Sequence, residues 1–275
     1  AEAYDLLHRG LGLDNGRLAA TFGAWNQGPL ESFLIEITAK IFAVREPDGG
    51  ALIDRVLDKA GQKGTGKWTL QAALDLGVAM PSIAAALDAR VLSSQHALRQ
   101  RFAAGRPAAT PPRLPVSVQD VHDALLLSKA AAYAQGFELL ARASSEYRWN
   151  LQLSELARIW KGGCIIRARF LDEIRRAYVE QPALEHLALA PHFRGLLSAH
   201  LATLGRVVAA AAQAGIPVPA FAASHQTLLA LLSPRLPQNL VQAQRDAFGA
   251  HTFQRATAPD GPFEHYDWLG SGARA

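Results

Sequence analysis

Residues 58–68 read Asp-Lys-Ala-Gly-Gln-Lys-Gly-Thr-Gly-Lys-Trp, with glycines at 61, 64 and 66, lysines at 59, 63 and 67, and a hydroxyl at Thr65. Glycine lets a backbone turn sharply and approach a ligand closely. Successive N–H groups in such a turn form a concavity for an anion. A lysine adds a point charge with three donors, so the fitting guest is a phosphate or a carboxylate. A helical pattern resumes near Lys67, and the positive end of its dipole would face the same place. The stretch is not a Walker loop, because Trp68 stands where Ser or Thr is required, and it is not Gly-x-Gly-x-x-Gly. A plain solvated turn would have the same composition; Trp68 pinned behind the loop favours an ordered one.

Two further groups could act with it. Arg90 lies in Leu-Asp-Ala-Arg-Val-Leu-Ser-Ser (87–94), on a helical pattern lined by alanine and leucine. It reads either as a surface arginine paired with a carboxylate or as one reaching into a site beside the glycine loop. Arg245 and His251 lie in 242–252, Gln-Ala-Gln-Arg-Asp-Ala-Phe-Gly-Ala-His-Thr. Six residues correspond to about 240° around a continuous helix, which would point them apart. With Gly249 as a C-cap the chain can fold back and bring them to one ligand. The other reading is a capping arginine and a structural histidine. The histidines show no His-Glu-x-x-His or other metal spacing, and no Gly-x-Ser-x-Gly elbow occurs. Cys164 sits in an apolar Cys-Ile-Ile run and reads as a buried, inert thiol.

The elements that must position these groups read as helices. One segment ends at Gly10 and Gly12. A second is capped by Asp14 and runs to about Asn26, with Leu18, Phe22 and Trp25 on one face. A third spans 30–44, with Pro29 in its first turn and Phe33, Leu34, Ile37 and Ile41 inward. After the loop come helices at 68–76, ended by Gly77, and from Pro81 to about Phe102. The proline-rich stretch 105–115 reads as an extended linker. Ser117 and Asp120 start the longest helix, to about Tyr147. Others surround Leu156 and Trp160, resume after Gly162-Gly163 at 164–179, and span 193–214, 221–232 and 239–248. A Gly- and Pro-containing tail from Ala258 carries Phe263, Tyr266 and Trp268. No strand pattern and no short repeat stand out, so the fold class is all-α, a large multi-helix domain.

The 275 residues are long for one domain but compatible with one large core or two fused halves. Hydrophobic residues make up 49% and charged residues 19%, a globular balance. The formal charge of +4 is not organised into a basic stripe interleaved with aromatics, which argues against nucleic acid as a partner. A local basic pocket for a small anion fits the same charge. A single cysteine excludes an internal disulfide and is usual for a reducing compartment, so a cytoplasmic location is expected. The longest run free of Asp, Glu, Lys and Arg, 207–234, is interrupted by glutamine, histidine, glycine and proline, so no membrane partner is expected. The chain opens on a helical pattern with no N-cap before it, which reads as a piece of a longer protein.

Taken together, residues 58–68, Arg90 with Leu92-Ser93-Ser94, Tyr133-Ala134-Gln135-Gly136-Phe137, Trp160-Lys161-Gly162-Gly163-Cys164-Ile165-Ile166-Arg167 and 244–252 resemble the C-terminal domain of the 6-phosphogluconate dehydrogenases. These are NADP-dependent decarboxylating enzymes of the pentose phosphate pathway. The resemblance covers essentially the whole chain, in order. It implies an all-α domain with an internal helical duplication, packed as a homodimer. It implies that Lys63, Thr65 and Arg90 bind the phosphate of 6-phosphogluconate, with Arg245 and His251 reaching in from the neighbouring subunit. Residues 1–257 would be the substrate-binding and dimerisation domain, and 258–275 a tail packed on the partner.

The resemblance also implies what these residues do not supply. The family's dinucleotide-binding domain, and the lysine and glutamate that act as general base and general acid, belong upstream of Ala1. NADP is thus expected for the full-length enzyme, with no cofactor, catalytic residue or metal assigned to these 275 residues and negligible hydride transfer by them alone. Two local departures bear on the partner-facing wall. Ala247 stands where the family has tyrosine, and 225–234 is more apolar than the family's segment. A non-catalytic dimeric sugar-phosphate-binding or scaffold module derived from the family is the alternative.

Overall fold

In this computed structural model, residues 1–105 and 113–270 are described. The chain enters on a short helix, α1 (Glu2–Asp5), that runs into a π-turn, Leu6–Gly10. Asp14 accepts a hydrogen bond from the Arg17 amide at 2.8 Å and opens α2 (Asn15–Trp25). Ser32, not Pro29, caps α3 (Phe33–Ala43); Pro29 lies in the turn before it. The glycine loop leads into α4 (Thr65–Asp75), followed by α5 (Pro81–Ser94) and α6 (His96–Ala103). The sequence reads α5 and α6 as one helix; a non-helical ψ of 43° at Gln95 separates them. Most of the expected linker lies outside the described residues.

Ser117 and Asp120 form the reciprocal capping box at the head of α7 (Val118–Glu146), at 29 residues the longest described helix. Then come α8 (Leu153–Trp160), α9 (Phe170–Glu180), α10 (Pro191–Gln213), α11 (Pro219–Leu232) and α12 (Gln238–Gly249). Proline stands at the first position of α5, α10 and α11, where its missing N–H costs no helical bond. No strand occurs among the described residues. The fold is all-α, as the sequence reads.

Two compact units divide the chain, Ala1–Leu228 and Leu229–Ala275. In the first, α7 is central. Val121, Ala124, Leu127, Ala131 and Phe137 are all buried on it, spread round more than one face because α1, α5, α8 and α10 pack against it. Full burial of such a leucine or phenylalanine contributes about 1.5–3 kcal/mol. By length and composition alone, α10 is apolar enough to cross a membrane, with mean hydropathy 1.4 over its best window. Arg194 and Arg206 keep it from being a charge-free run in the sequence. Its Phe193, Leu204, Val207 and Ala211 belong to the same core as α7.

The first unit repeats one plan. Trp25 ends α2 and Trp160 ends α8. The segments that follow them pair antiparallel, with the Phe33 amide on the Arg167 carbonyl at 3.1 Å and the Arg169 amide on the Glu31 carbonyl at 3.0 Å. This pairing is why α9 starts at Phe170 rather than at Cys164. Gly77 (φ 67°) precedes Met80-Pro81 and α5; Gly215 (φ 68°) precedes Val218-Pro219 and α11.

One face is not as expected. On α3, Leu34 and Ile41 are exposed, while Phe42 is buried and Ile35 and Ala39 pack on the core. The helix carries two apolar stripes at helical spacing, and periodicity does not choose between them.

Candidate functional site

Three side chains stitch the glycine loop to α5 and α6. Arg99 on α6 donates to the Asp58 carboxylate at 2.8 Å and to the Asp58 and Ser93 carbonyls, each at 3.1 Å. Hydrogen bonding from Arg99 holds the Asp58 carboxyl below its usual range. Ser93 on α5 accepts from the Ala60 amide at 3.0 Å. Arg90, one turn earlier, donates from Nη2 to the Gly61 carbonyl. The arginine therefore reaches onto the loop rather than pairing with a carboxylate.

The loop ends at Gly64, whose φ of 102° is open to glycine and costly for other residues. Thr65 is the first residue of α4. No side chain caps this helix, so its leading N–H groups are free at the loop. Lys63 and the Thr65 side chain are exposed, and neither has a hydrogen bond or ion pair among the described residues. Gly66 lets α4 approach α5, since a Cβ there would stand 3.3 Å from Leu87 Cδ1. Trp68 is 66% exposed, with its ring beside Gly64, so it lines the loop rather than being buried behind it.

The polar cluster beneath α5 fixes the helix that carries Arg90. Gln135 on α7 exchanges hydrogen bonds with the Ser82 amide (3.2 Å) and hydroxyl (2.9 Å), and Ser82 meets Ser224 of α11 at 2.9 Å. All three are buried and partnered, so the cluster orients α5 without a large desolvation penalty.

Other concavities are chemically less apt. A cleft of about 260 Å³ is lined by Glu31, Ser32, Lys161, Arg167, Arg169 and Asp172. There Lys161 is paired with Asp172 and Arg167 with Glu36. A groove of about 500 Å³ holds His122, His192 and His200, but Asp123 and Glu173 face them. An added anion would compete with these carboxylates, whereas Lys63 and Arg90 pair with none among the described residues. No group of three or more His, Cys, Asp or Glu among the described residues is placed to hold a metal ion. Cys164 is half-buried rather than fully enclosed.

In the second unit, α12 ends at Gly249 and the left-handed residue is Ala250 (φ 50°), so the C-cap falls one residue later than the sequence suggests. The chain does fold back. Gln242 accepts from Arg245 Nη1 at 3.1 Å and donates to the carbonyls of His251 and Thr252. Arg245 and His251 are thus tied through one amide, and both are exposed. Gly249 makes room for the imidazole, because a Cβ there would stand 2.8 Å from His251 Nε2. Sequence reasoning passed over three positioning groups: Ser93 and Arg99 under the loop, and Asp246 beneath the turn. Asp246 lies inside a quoted motif, but nothing in its spacing marks it as buried.

Residues 1–268 match the family model described as 6-phosphogluconate dehydrogenase, C-terminal domain. The chain is 48% identical over 276 residues to a decarboxylating 6-phosphogluconate dehydrogenase of Synechocystis sp., covering 98% of this chain and 57% of that protein. The corresponding Escherichia coli protein is 46% identical, with coverages of 98% and 58%. A solved Plasmodium falciparum 6-phosphogluconate dehydrogenase, studied apo and in complex with NADP+ and with 6-phosphogluconate, superposes with a TM-score of 0.92 at 41% identity. It is covered over 58% of its length and covers 97% of this chain. The chain therefore spans a little under three fifths of the length of these relatives. On this fold, these motifs and this match along nearly its whole length, the chain belongs to the 6-phosphogluconate dehydrogenase family, as its C-terminal domain.

Proposed function

We propose that these residues form the substrate-binding and dimerising part of an NADP-dependent 6-phosphogluconate dehydrogenase, a cytoplasmic enzyme of the pentose phosphate pathway. The complete enzyme would transfer a hydride from carbon 3 of 6-phosphogluconate to NADP+, then release CO2 to leave ribulose 5-phosphate. Lys63, Thr65 and Arg90 take the phosphate, and Arg245 and His251 of a second copy close over it. A dianion bound by two guanidinium groups, an ammonium, a hydroxyl and free helix N–H groups is well satisfied by charge-assisted hydrogen bonds. Binding energy at the phosphate then orients the distant sugar acid for reaction.

The observation that carries this reading is Arg90 folded onto the Gly61 carbonyl, two residues before Lys63 in the loop that leads to a helix start no side chain caps. A second copy of the chain would cover large apolar side chains left in water, such as Leu74 (80% exposed), Phe102 (75%) and Phe248 (75%). Residues 258–275 are proposed to pack on that partner. NADP is the cofactor of the complete enzyme. No Gly-x-Gly-x-x-Gly occurs among these residues, and no acid or base for the chemical step is assigned to them.

The test is calorimetry of 6-phosphogluconate, with gluconate as the control lacking phosphate, on the wild-type chain, Lys63→Ala and Arg90→Ala. Each substitution is expected to weaken 6-phosphogluconate binding by about tenfold or more, the loss of a hydrogen bond to a charged group. Unchanged heats in both variants would remove the phosphate assignment.

A further inference from the structure

Asp246 follows Arg245 and precedes His251 by five residues, and its side chain is fully buried. Its Oδ1 accepts from the Thr252 amide at 2.8 Å and from His265 Nδ1 at 3.0 Å. Oδ2 accepts from the Tyr266 amide at 3.0 Å and from Trp268 Nε1 at 2.8 Å. Four donors match the lone-pair capacity of a carboxylate, two on each oxygen. Three of them come from the tail at 265–268.

The turn these bonds hold is not self-supporting. Ala250 and Thr252 are both left-handed, at φ 50° and 56°, and neither is glycine. Such residues are strained and persist only where their surroundings impose the conformation. The Asp246 carbonyl takes the Ala250 amide at 2.9 Å and its carboxylate takes the Thr252 amide, so one residue pins the chain on both sides of His251. Gln242 ties the same turn to the Arg245 guanidinium.

We infer that Asp246 is the positioning residue for Arg245 and His251, and that His265, Tyr266 and Trp268 hold its carboxylate in place. The inference rests on the phosphate role proposed above for that pair. The tail then has a task within its own chain: it completes the buried anchor on which the phosphate-binding turn is built.

The experiment uses the 275-residue chain with 6-phosphogluconate as probe, and the variants Asp246→Asn, Trp268→Phe, His251→Ala, both double variants with His251→Ala, and Lys63→Ala. Asparagine would turn an NH2 toward two N–H donors. Asp246→Asn is expected to weaken binding about tenfold and Trp268→Phe about threefold, with helical circular dichroism unchanged. In the His251→Ala background each should weaken it less than in the wild type, because part of the effect passes through His251 and only the part through Arg245 remains. Additive losses would overturn the inference, as would unchanged binding in both single variants. Should Asp246→Asn fail to fold, Trp268→Phe carries the test. A readout without ligand is amide exchange, where Trp268→Phe should speed exchange at Thr252 by about tenfold. Exchange at Thr252 left at the wild-type rate would likewise overturn it. Full binding by Lys63→Ala alongside coupled losses at Asp246 and His251 would remove the loop assignment and leave this inference standing.

Discussion

Trp268 Nε1 and Asp246 Oδ2, 22 residues apart in the chain, lie 2.8 Å from one another, with the carboxylate sealed from water. Burial alone would push that carboxyl up. The bonds from His265, Trp268, Tyr266 and Thr252 outweigh it and hold the carboxyl well below its ordinary value of 3.8. The folded value lies below the unfolded one, so the carboxylate stabilises this unit fully above the ordinary value. That contribution is lost as pH falls from there through the folded value. Exchange protection at the Thr252 and Tyr266 amides should therefore hold from neutral pH down to about 4 and decline progressively below it. Protection persisting in strong acid would contradict this account.

Gly64 and Gly66 should respond differently to alanine. Gly64 sits at φ 102°, so Gly64→Ala is expected to cost about 1–2 kcal/mol and to disturb the phosphate loop. Gly66 is helical, and a Cβ there meets only the end of the Leu87 side chain at 3.3 Å. Gly66→Ala gains up to about 1 kcal/mol of helix propensity, partly offset by moving Leu87, and should be close to neutral. Thermal unfolding of the two variants side by side checks the sign of each.

Gly249→Ala separates binding from stability. The added Cβ would come within 2.8 Å of His251 Nε2, and the imidazole can swing away at little cost. Stability should stay level or rise by a few tenths of a kcal/mol, since alanine favours the helix end more than glycine. Affinity for 6-phosphogluconate should drop by about threefold or more as the ring leaves its place. Calorimetry and thermal unfolding on one preparation supply both numbers.

Lys129 on α7 reports its burial through pH. Desolvation lowers its pKa from 10.5 to about 8, and Glu31 only partly opposes this. Its nearest acceptor is the Leu30 carbonyl at 3.5 Å. The folded state disfavours the charged form, so the penalty is full below about 8 and fades as pH rises toward 10.5. Lys129→Met is expected to raise stability at pH 7 by about 1–3 kcal/mol, with the gain vanishing above pH ~10.5. Denaturant unfolding across that range measures it. A gain independent of pH would assign the effect to packing instead.

Local chemistry wrote much of this protein legibly. The Asp14 and Ser117–Asp120 caps, the proline that opens α5, and the glycines that interrupt the chain are short-range effects, so the helices they delimit follow from neighbouring residues. The Gly/Lys loop was legible as an anion-binding candidate for the same reason, since its chemistry lies in consecutive residues. Other features depend on partners far along the chain. Periodicity could not tell which apolar stripe of α3 faces inward, because both fit a helix and only the packing on α2 selects Phe42. Arg90 read equally well as a surface ion pair until α5 brought it to Gly61, 29 residues away. Nothing in the spacing around Asp246 marks it for burial. Its burial arises only when His265, Tyr266 and Trp268 return to it, because a carboxylate leaves water only where enough donors meet it.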